Sequence, residues 1–478
     1  MAKPRSPQNP YAPKTTEAAP SEPNPPKNPG KPGKPKPLPA RNGAQRRAAS
    51  TPPPARPARV EPPSTAFGAR ISRRASDRLR NGHLWVYATD IEAVSAGEGN
   101  SLLPVADNRG ILLGTALYSP ASQIALRMVS REAIDQAQWL ELLAARLRTA
   151  IARRKPLLNE NTNACRLVFS EADDLPGLIA DKYAGIVIVQ LLAKGLDSAR
   201  VREVCTRVLR EELAASETSL TIWERPDPRI REIEGLSAPA TTPLYSSDVT
   251  APISSAIFQL NGLSFHFDVN SGQKTGAFLD QRENYAAAAA WAKARGAKKA
   301  LDVCTYQGGF ALHLAQACEQ VTGIDASRAS LEVAERNLVL NKEGNRAKLT
   351  AEVDWVEADA FELLRGWSES KDGGAWDLIV LDPPAFAKSK RAVEGALRGY
   401  KELNLRALRM IRAGGLLITC SCSHHVTWSD LESAVASAAI DAHRRVTLLE
   451  RRGAAQDHPV VLNLPETEYL KCLICQVD

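Results

Sequence analysis

No stretch of this 478-residue chain approaches the ~18 consecutive apolar residues that a membrane helix requires, so a membrane-spanning protein is not expected. The apolar core of about 7–15 residues that marks a secretory leader is also lacking: Met1-Ala2-Lys3-Pro4-Arg5 runs directly into proline, lysine and asparagine. Cysteine is sparse and dispersed. Cys165, Cys205, Cys304, Cys318, Cys420, Cys422, Cys472 and Cys475 suit reduced thiols better than a disulfide framework. A cytoplasmic protein is the expectation. The dinucleotide fingerprint G-x-G-x-x-G is missing too, which argues against an NAD-dependent oxidoreductase.

Acidic residues are what the first 65 positions lack. They hold 3 Asp and Glu against 12 Lys and Arg, a net charge of +9, and 19 of the 32 prolines. Large aliphatic side chains are scarce there, so the segment cannot bury enough apolar surface to offset the entropy of ordering. Residues 1–65 therefore read as a disordered basic tail, solvated or dwelling near polyanions. The remaining 413 residues hold 49 basic against 51 acidic side chains, so any nucleic acid must be met by local patches. Hydrophobic residues are 44% and charged ones 24% of the chain, a globular composition, and the length suggests two or three domains.

Three folded segments follow. Over 66–135, short apolar runs are divided by Asn81-Gly82, the glycines at 97 and 99, and Asn108-Arg109-Gly110, as in a small β-barrel. Arg70, Arg73, Arg74, Arg78 and Arg80 gather at its entrance, followed by Trp85 and Tyr87. That mixture suits phosphate and base stacking, and it suits equally a solvated basic face above two core aromatics. Over 136–255, helical spacing of Leu140, Leu143, Leu147 and Ile151, a strand–turn–strand pattern around Ala184-Gly185 and a second helical stretch near 197–214 predict a small α+β domain. Over 256–478 strands and helices alternate, as in a parallel α/β sheet. The predicted strands are 300–304, 320–325, 354–357, 376–382 and 415–420, and the predicted helices 312–317, 328–341 and 400–411.

In such sheets ligands bind beyond the carboxyl ends of the strands. The first strand runs into Leu301-Asp-Val-Cys-Thr-Tyr-Gln-Gly-Gly-Phe310, two glycines opening a helix. Asp325 ends the next strand 16 residues past Gly309, close to the ~20-residue interval at which an acid meets ribose hydroxyls. Asp359 ends the third. The ordered set Asp302, Gly308, Gly309, Asp325 and Asp359 points to an adenosine-bearing cofactor without a pyrophosphate, which favours S-adenosylmethionine; a glycine pair alone would signify only helix capping.

Trp376-Asp-Leu-Ile-Val-Leu-Asp-Pro-Pro-Ala-Phe386 is an apolar strand ending in Asp382 and two rigid prolines, a preorganised acceptor for the amino group of a base. The strand after it carries Cys420 and Cys422 at alternate positions, hence on one face, with Cys422 at the carboxyl end. A thiolate there can attack C6 of a pyrimidine, with His424 or His425 lowering its pKa; buried inert cysteines are the alternative. Cys472-x-x-Cys475 joins these to make four sulfurs, but strand positions three apart face opposite ways, so a zinc site would need a bend.

Several segments together resemble one family: Gly82-His-Leu-Trp-Val-Tyr87, Glu171-Ala-Asp-Asp-Leu-Pro-Gly-Leu178, Gly272-Gln-Lys-Thr-Gly-Ala-Phe-Leu-Asp-Gln-Arg282, Asp382-Pro-Pro, Gly399-Tyr-Lys401, Ser421-Cys-Ser423 and Asp457-His-Pro459. From residue 68 onward the chain is similar to the ribosomal RNA large subunit methyltransferase I family, which forms 5-methylcytosine in 23S rRNA. The resemblance implies an N-terminal PUA domain, a central α+β domain and a C-terminal Rossmann-like class I methyltransferase domain that uses S-adenosylmethionine. It implies Cys422 as nucleophile and Asp382 as the acid that orients cytosine. Phe278, Asp280 and Arg282 would border the cofactor beside Asp302, Tyr306, Gly308, Gly309, Asp325, Asp359 and Asp382. The expected partner is 23S rRNA, with no membrane, and a homodimer is left open. Two rivals remain on the residues alone: an rRNA purine methyltransferase with the same cofactor, and an RNA-binding protein without catalysis.

Overall fold

The computed structural model describes residues 68–478 apart from 98–100, 215–216, 218, 237–240, 272–274, 345–348, 371–375 and 388. The expected basic tail over 1–65 lies outside the described residues, as does the start of the Gly272–Arg282 segment. The chain folds as α/β with three sheets and a hairpin in sequence. Among the described residues, no helix is long and apolar enough to cross a membrane.

The first sheet has six strands, ordered Trp85–Tyr87, Ile124–Ser130, Leu112–Tyr118, Leu102–Ala106, Gly68–Ile71 and Ile91–Ser95. A helix, Arg73–Arg80, interrupts the expected all-strand pattern, capped by the Ser72 side chain. Four of the entrance arginines lie on it, and acidic neighbours hold two of them: Arg78 reaches Asp90 at 2.7 Å and Arg80 reaches Asp107 at 2.6 Å. The cluster is largely ion-paired, so it is less a bare phosphate cradle than its sequence suggests.

In the central region, helix Gln136–Arg154 starts at a capping box formed by Asp135 and Gln138. Its buried stripe runs through Trp139, Leu143, Leu147 and Ile151, so Trp139 rather than Leu140 begins it. Helix Ala199–Leu213 buries Val201, Val204, Cys205 and Val208 against the same core. The five-stranded sheet beneath is ordered Tyr245–Ser246, Thr221–Glu224, Ile186–Leu191, Leu178–Tyr183 and Ala164–Phe169. The hairpin Ser255–Leu260 and Leu263–Asp268 then stacks Phe267 on Tyr183, ring centroids 4.1 Å apart. That pair joins the central sheet to the carboxyl-terminal one in a single hydrophobic core.

Seven strands form the last sheet, numbered here β1 Lys299–Val303, β2 Gln320–Asp325, β3 Glu352–Glu357, β4 Trp376–Leu381, β5 Ile411–Ser421, β6 Val446–Arg452 and β7 Lys471–Val477. Their order is β3-β2-β1-β4-β5-β7-β6, with β7 antiparallel to both neighbours. Every residue of β4 is buried, as a parallel strand covered by helices on both faces must be. Chain order reverses between β1 and β4, so the crevice opens where their carboxyl ends part.

Candidate active site

The turn after β1 is built from strain and close contact. Cys304 and Tyr306 have φ of 65° and 53°, left-handed values that non-glycine residues adopt only when their surroundings enforce them. Gly308 caps helix Gly309–Leu314 at φ 87°, and a Cβ at Gly309 would stand 2.5 Å from Cζ of Tyr285. The glycine pair thus answers to backbone shape and packing. Asp302 is fully buried. It accepts from the Thr305 hydroxyl at 2.5 Å and the Ala311 N–H at 2.9 Å, which brace the turn. Burial nevertheless pushes its carboxyl up to about 7.

Asp325 and Asp359 close the ends of β2 and β3. Asp325 accepts the amide N–H of Tyr306 at 2.9 Å and of Ser327 at 2.8 Å. Asp359 caps helix Ala360–Glu369, one oxygen accepting from Phe361 and Glu362. Tyr306 donates its hydroxyl to the Gly276 carbonyl and packs edge-on against Phe278. Asp280 is buried; its Oδ2 accepts from Tyr469 at 2.5 Å, and its Oδ1 meets no donor.

At the other side, the Asp382 N–H donates to the Val303 carbonyl at 3.2 Å, tying the two strand ends together. Cys422 follows β5 directly, its Sγ 3.8 Å from the Pro383 carbonyl. The flanking serines turn inward: Ser421 and Ser423 are fully buried and share the Tyr400 hydroxyl at 2.8 and 3.1 Å. With both neighbours anchored behind the strand, the thiol projects forward. Cys420, two residues earlier, is sealed in the core opposite Cys472.

A cavity of about 850 Å³ joins these groups. Phe278, Asp280, Tyr306, Asp325, Asp359, Asp382 and Cys422 all border it. Asp302, Gly308, Gly309 and Arg282 stand behind its wall. Arg282 is buried and directed at Asp457, 3.5 Å away, one layer behind the lining side chains. Carboxylates at adjacent strand ends, two aromatic rings and an unpartnered buried carboxylate oxygen suit a nucleoside carrying an amino group.

Residues 172–461 match the model of the S-adenosylmethionine-dependent methyltransferases, and residues 69–131 match a PUA-like domain. The chain is 36% identical over 405 residues to "Ribosomal RNA large subunit methyltransferase I" of Pseudoalteromonas translucida, covering 84% of this chain and 96% of that one. The protein of the same name from Shewanella denitrificans is 36% identical over 406 residues, with the same coverage. The chain belongs to the ribosomal RNA large subunit methyltransferase I family. The solved structure of SMU.776 with SAH shares its fold, with a TM-score of 0.71 at 19% identity over 86% of this chain and all of that one.

Further side chains complete the cavity of this S-adenosylmethionine-dependent methyltransferase, of which Arg166 and His458 had no role assigned from sequence. Trp85 lines it and donates Nε1–H to Glu171 at 2.9 Å, linking the PUA-like sheet to the central one. Arg166, paired through two 2.8 Å bonds with Asp181, forms part of the central wall. His458 lines the cavity beside Phe169, its Nδ1 3.1 Å from Asp457. Burial raises the Asp457 carboxyl, but His458, Arg282 and the Arg166 amide outweigh it and bring the pKa down to about 2. Of the two histidines after Cys422, His424 lines the cavity beside Tyr469, ring centroids 5.4 Å apart, and His425 does not.

Proposed function

We propose that this methyltransferase forms 5-methylcytosine in 23S ribosomal RNA by way of a covalent bond between Cys422 and C6 of the target base. The observation that carries the reading is a thiol opening onto the cavity opposite two acid-bearing strand ends, while its neighbour Cys420 is entombed. The names of the relatives support the substrate class, and the PUA-like segment supports RNA binding. Phe278, Asp280, Tyr306, Asp325 and Asp359 would hold S-adenosylmethionine, which supplies an electrophilic methyl group. The remaining cofactor positions, Asp302, Gly308, Gly309 and Arg282, would act from behind by shaping the turn and the wall.

C5 of cytosine is a poor nucleophile. Addition of the Cys422 thiolate to C6 breaks the C5–C6 double bond and moves electron density to C5, making it enamine-like. Asp382 accepts a hydrogen bond from the exocyclic amino group and keeps the ring in register. After C5 is methylated, its proton passes to a base, the C5–C6 double bond re-forms and the C6–S bond breaks, returning the thiolate. The base must leave its stack to reach the cavity, with Trp85 and Phe169 available as stacking surfaces.

The test is nucleoside analysis of large-subunit rRNA treated with wild type and Cys422→Ala. Loss of 5-methylcytidine in the variant is expected, and full methylation by it would rule out the thiolate route. RNA carrying 5-fluorocytidine at the target should trap the adduct, because fluorine cannot depart as the proton does. A trapped peptide lacking Cys422 would refute the assignment.

A further inference from the structure

Lys471 begins β7 directly behind the Cys422 loop and is buried, 2% exposed. Its Nζ donates to the carbonyls of Ser423 and Tyr469, each at 2.8 Å. Among the described residues, no carboxylate forms an ion pair with it. A buried ammonium satisfied only by neutral carbonyls is costly, so a compensating anion is expected close by. Burial draws the Lys471 pKa down to about 8, and the group that most opposes this is Cys422, ahead of Glu468 and Asp430. Both carboxylates are engaged elsewhere: Glu468 accepts from Trp428 Nε1 at 2.9 Å, and Asp430 from the N–H and hydroxyl of Thr427 at 2.9 and 2.7 Å. The groups around Cys422 come from every packed element: Asp382 and the Pro383 carbonyl after β4, Tyr400 from helix Val393–Met410, His424 from its own loop, and Tyr469 and Lys471 from the β7 side. Asp382 disfavours a second negative charge, the phenols of Tyr400 and Tyr469 are neutral, and Lys471 is the buried cation hydrogen-bonded into the Cys422 loop, able to offset that charge.

We propose that Lys471 is the buried countercharge that holds the Cys422 sulfur as a thiolate, a positioning residue that acts through the nucleophile and also pins the loop carrying it. The two roles share one ammonium: its hydrogen bonds set the Ser423 backbone, and its charge favours S⁻ over SH. The proposal rests on the reading of Cys422 as nucleophile but is tested without turnover.

The experiment follows iodoacetamide alkylation of Cys422 in the full-length protein by peptide mass mapping across a pH series. In the wild type, the inflection should lie below the ordinary thiol value of about 8.5. Lys471→Gln keeps a donor and loses the charge; Lys471→Met loses both. Each should move the inflection upward and slow alkylation near neutral pH about tenfold, the effect of one pKa unit. Lys471→Arg should stay near the wild type. A wild-type inflection at or above the ordinary value, or a Lys471→Gln profile superimposed on wild type, would overturn the proposal. Should both neutral variants fail to fold, the inflections of the wild type and Lys471→Arg decide alone. Failure of the nucleophile reading looks different: Cys422→Ala would keep methylating whatever the alkylation profile.

Discussion

At the carboxyl ends of β1, β2 and β3, acidic side chains are occupied by their own backbone; at the ends of β4 and β5, serine, tyrosine and lysine side chains do the bracing, and Asp382 and Cys422 face the cavity. On the first side Asp302, Asp325 and Asp359 together accept five backbone N–H bonds and one hydroxyl. On the second, Ser421, Ser423 and Tyr400 hold the loop, and Cys422 is left to project forward. Under the proposed mechanism, the contrast separates a half that shapes the binding surface from a half that reacts. Substitutions in the first should register mainly as stability, and those in the second mainly as turnover.

The sharpest test sets Cys420, within β5, against Cys422, just past its end. Cys422→Ser should abolish rRNA methylation with an unchanged thermal melt, whereas Cys420→Ala should lose about 1 kcal/mol of stability through a small cavity and go on methylating. Equal loss of activity in both would erase the distinction. In the shaping half, Gly309→Ala forces a methyl against the Tyr285 ring and should cost about 1–3 kcal/mol in denaturant unfolding. An unaltered unfolding midpoint with lost activity would instead make that turn part of the reacting half.

A pH effect belongs to the same half. His313 is buried, with its ring nitrogens against the Gly309 carbonyl at 2.7 Å and Asn261 at 3.1 Å, and burial takes its pKa down from 6.5 to about 4. Between these values the unfolded chain binds a proton that the folded one refuses, so this group's contribution falls as pH drops through that window. The wild-type melting temperature should decline from pH 7 to 5 more steeply than that of His313→Gln; parallel curves would clear His313. The smallest effect is expected for Asp359→Ala, about 1 kcal/mol for a lost helix cap. Weaker calorimetric binding of S-adenosylhomocysteine should accompany it if the carboxylate also faces the ligand.

Particular elements show how far the amino-acid order could be read. β2 is found at the expected 320–325, where Val321 and Ile324 are buried and Asp325 closes the strand. Helix Gly309–Leu314 starts three residues before the predicted 312, since the positive-φ cap at Gly308 conceals its beginning. Helix Val393–Met410 starts at 393 rather than 400, because Gly395 and Gly399 weaken the local signal that tertiary packing restores. The sixth strand, Val446–Arg452, lies at the sheet edge and buries none of its residues fully, so it carried no core periodicity. Asp382, Cys422, Asp325 and Asp359 were legible because each follows a recognisable strand end. Lys471 was not: within Lys-Cys-Leu-Ile-Cys it passes for a polar residue opening a strand, and only the antiparallel pairing of Ser421 with Lys471 brings it behind Cys422.

Residue order alone determined the alternation of strands and helices, the family resemblance and the presence of an acid or a thiol after successive strands, because each depends on neighbours within a few positions. Tertiary structure alone decided which of those groups face the cavity. A carboxylate whose oxygens are taken by nearby amides and one that fronts open space look the same in a sequence. The difference lies in contacts between segments more than 300 positions apart, such as the bond from Arg154 to the Asp457 carbonyl.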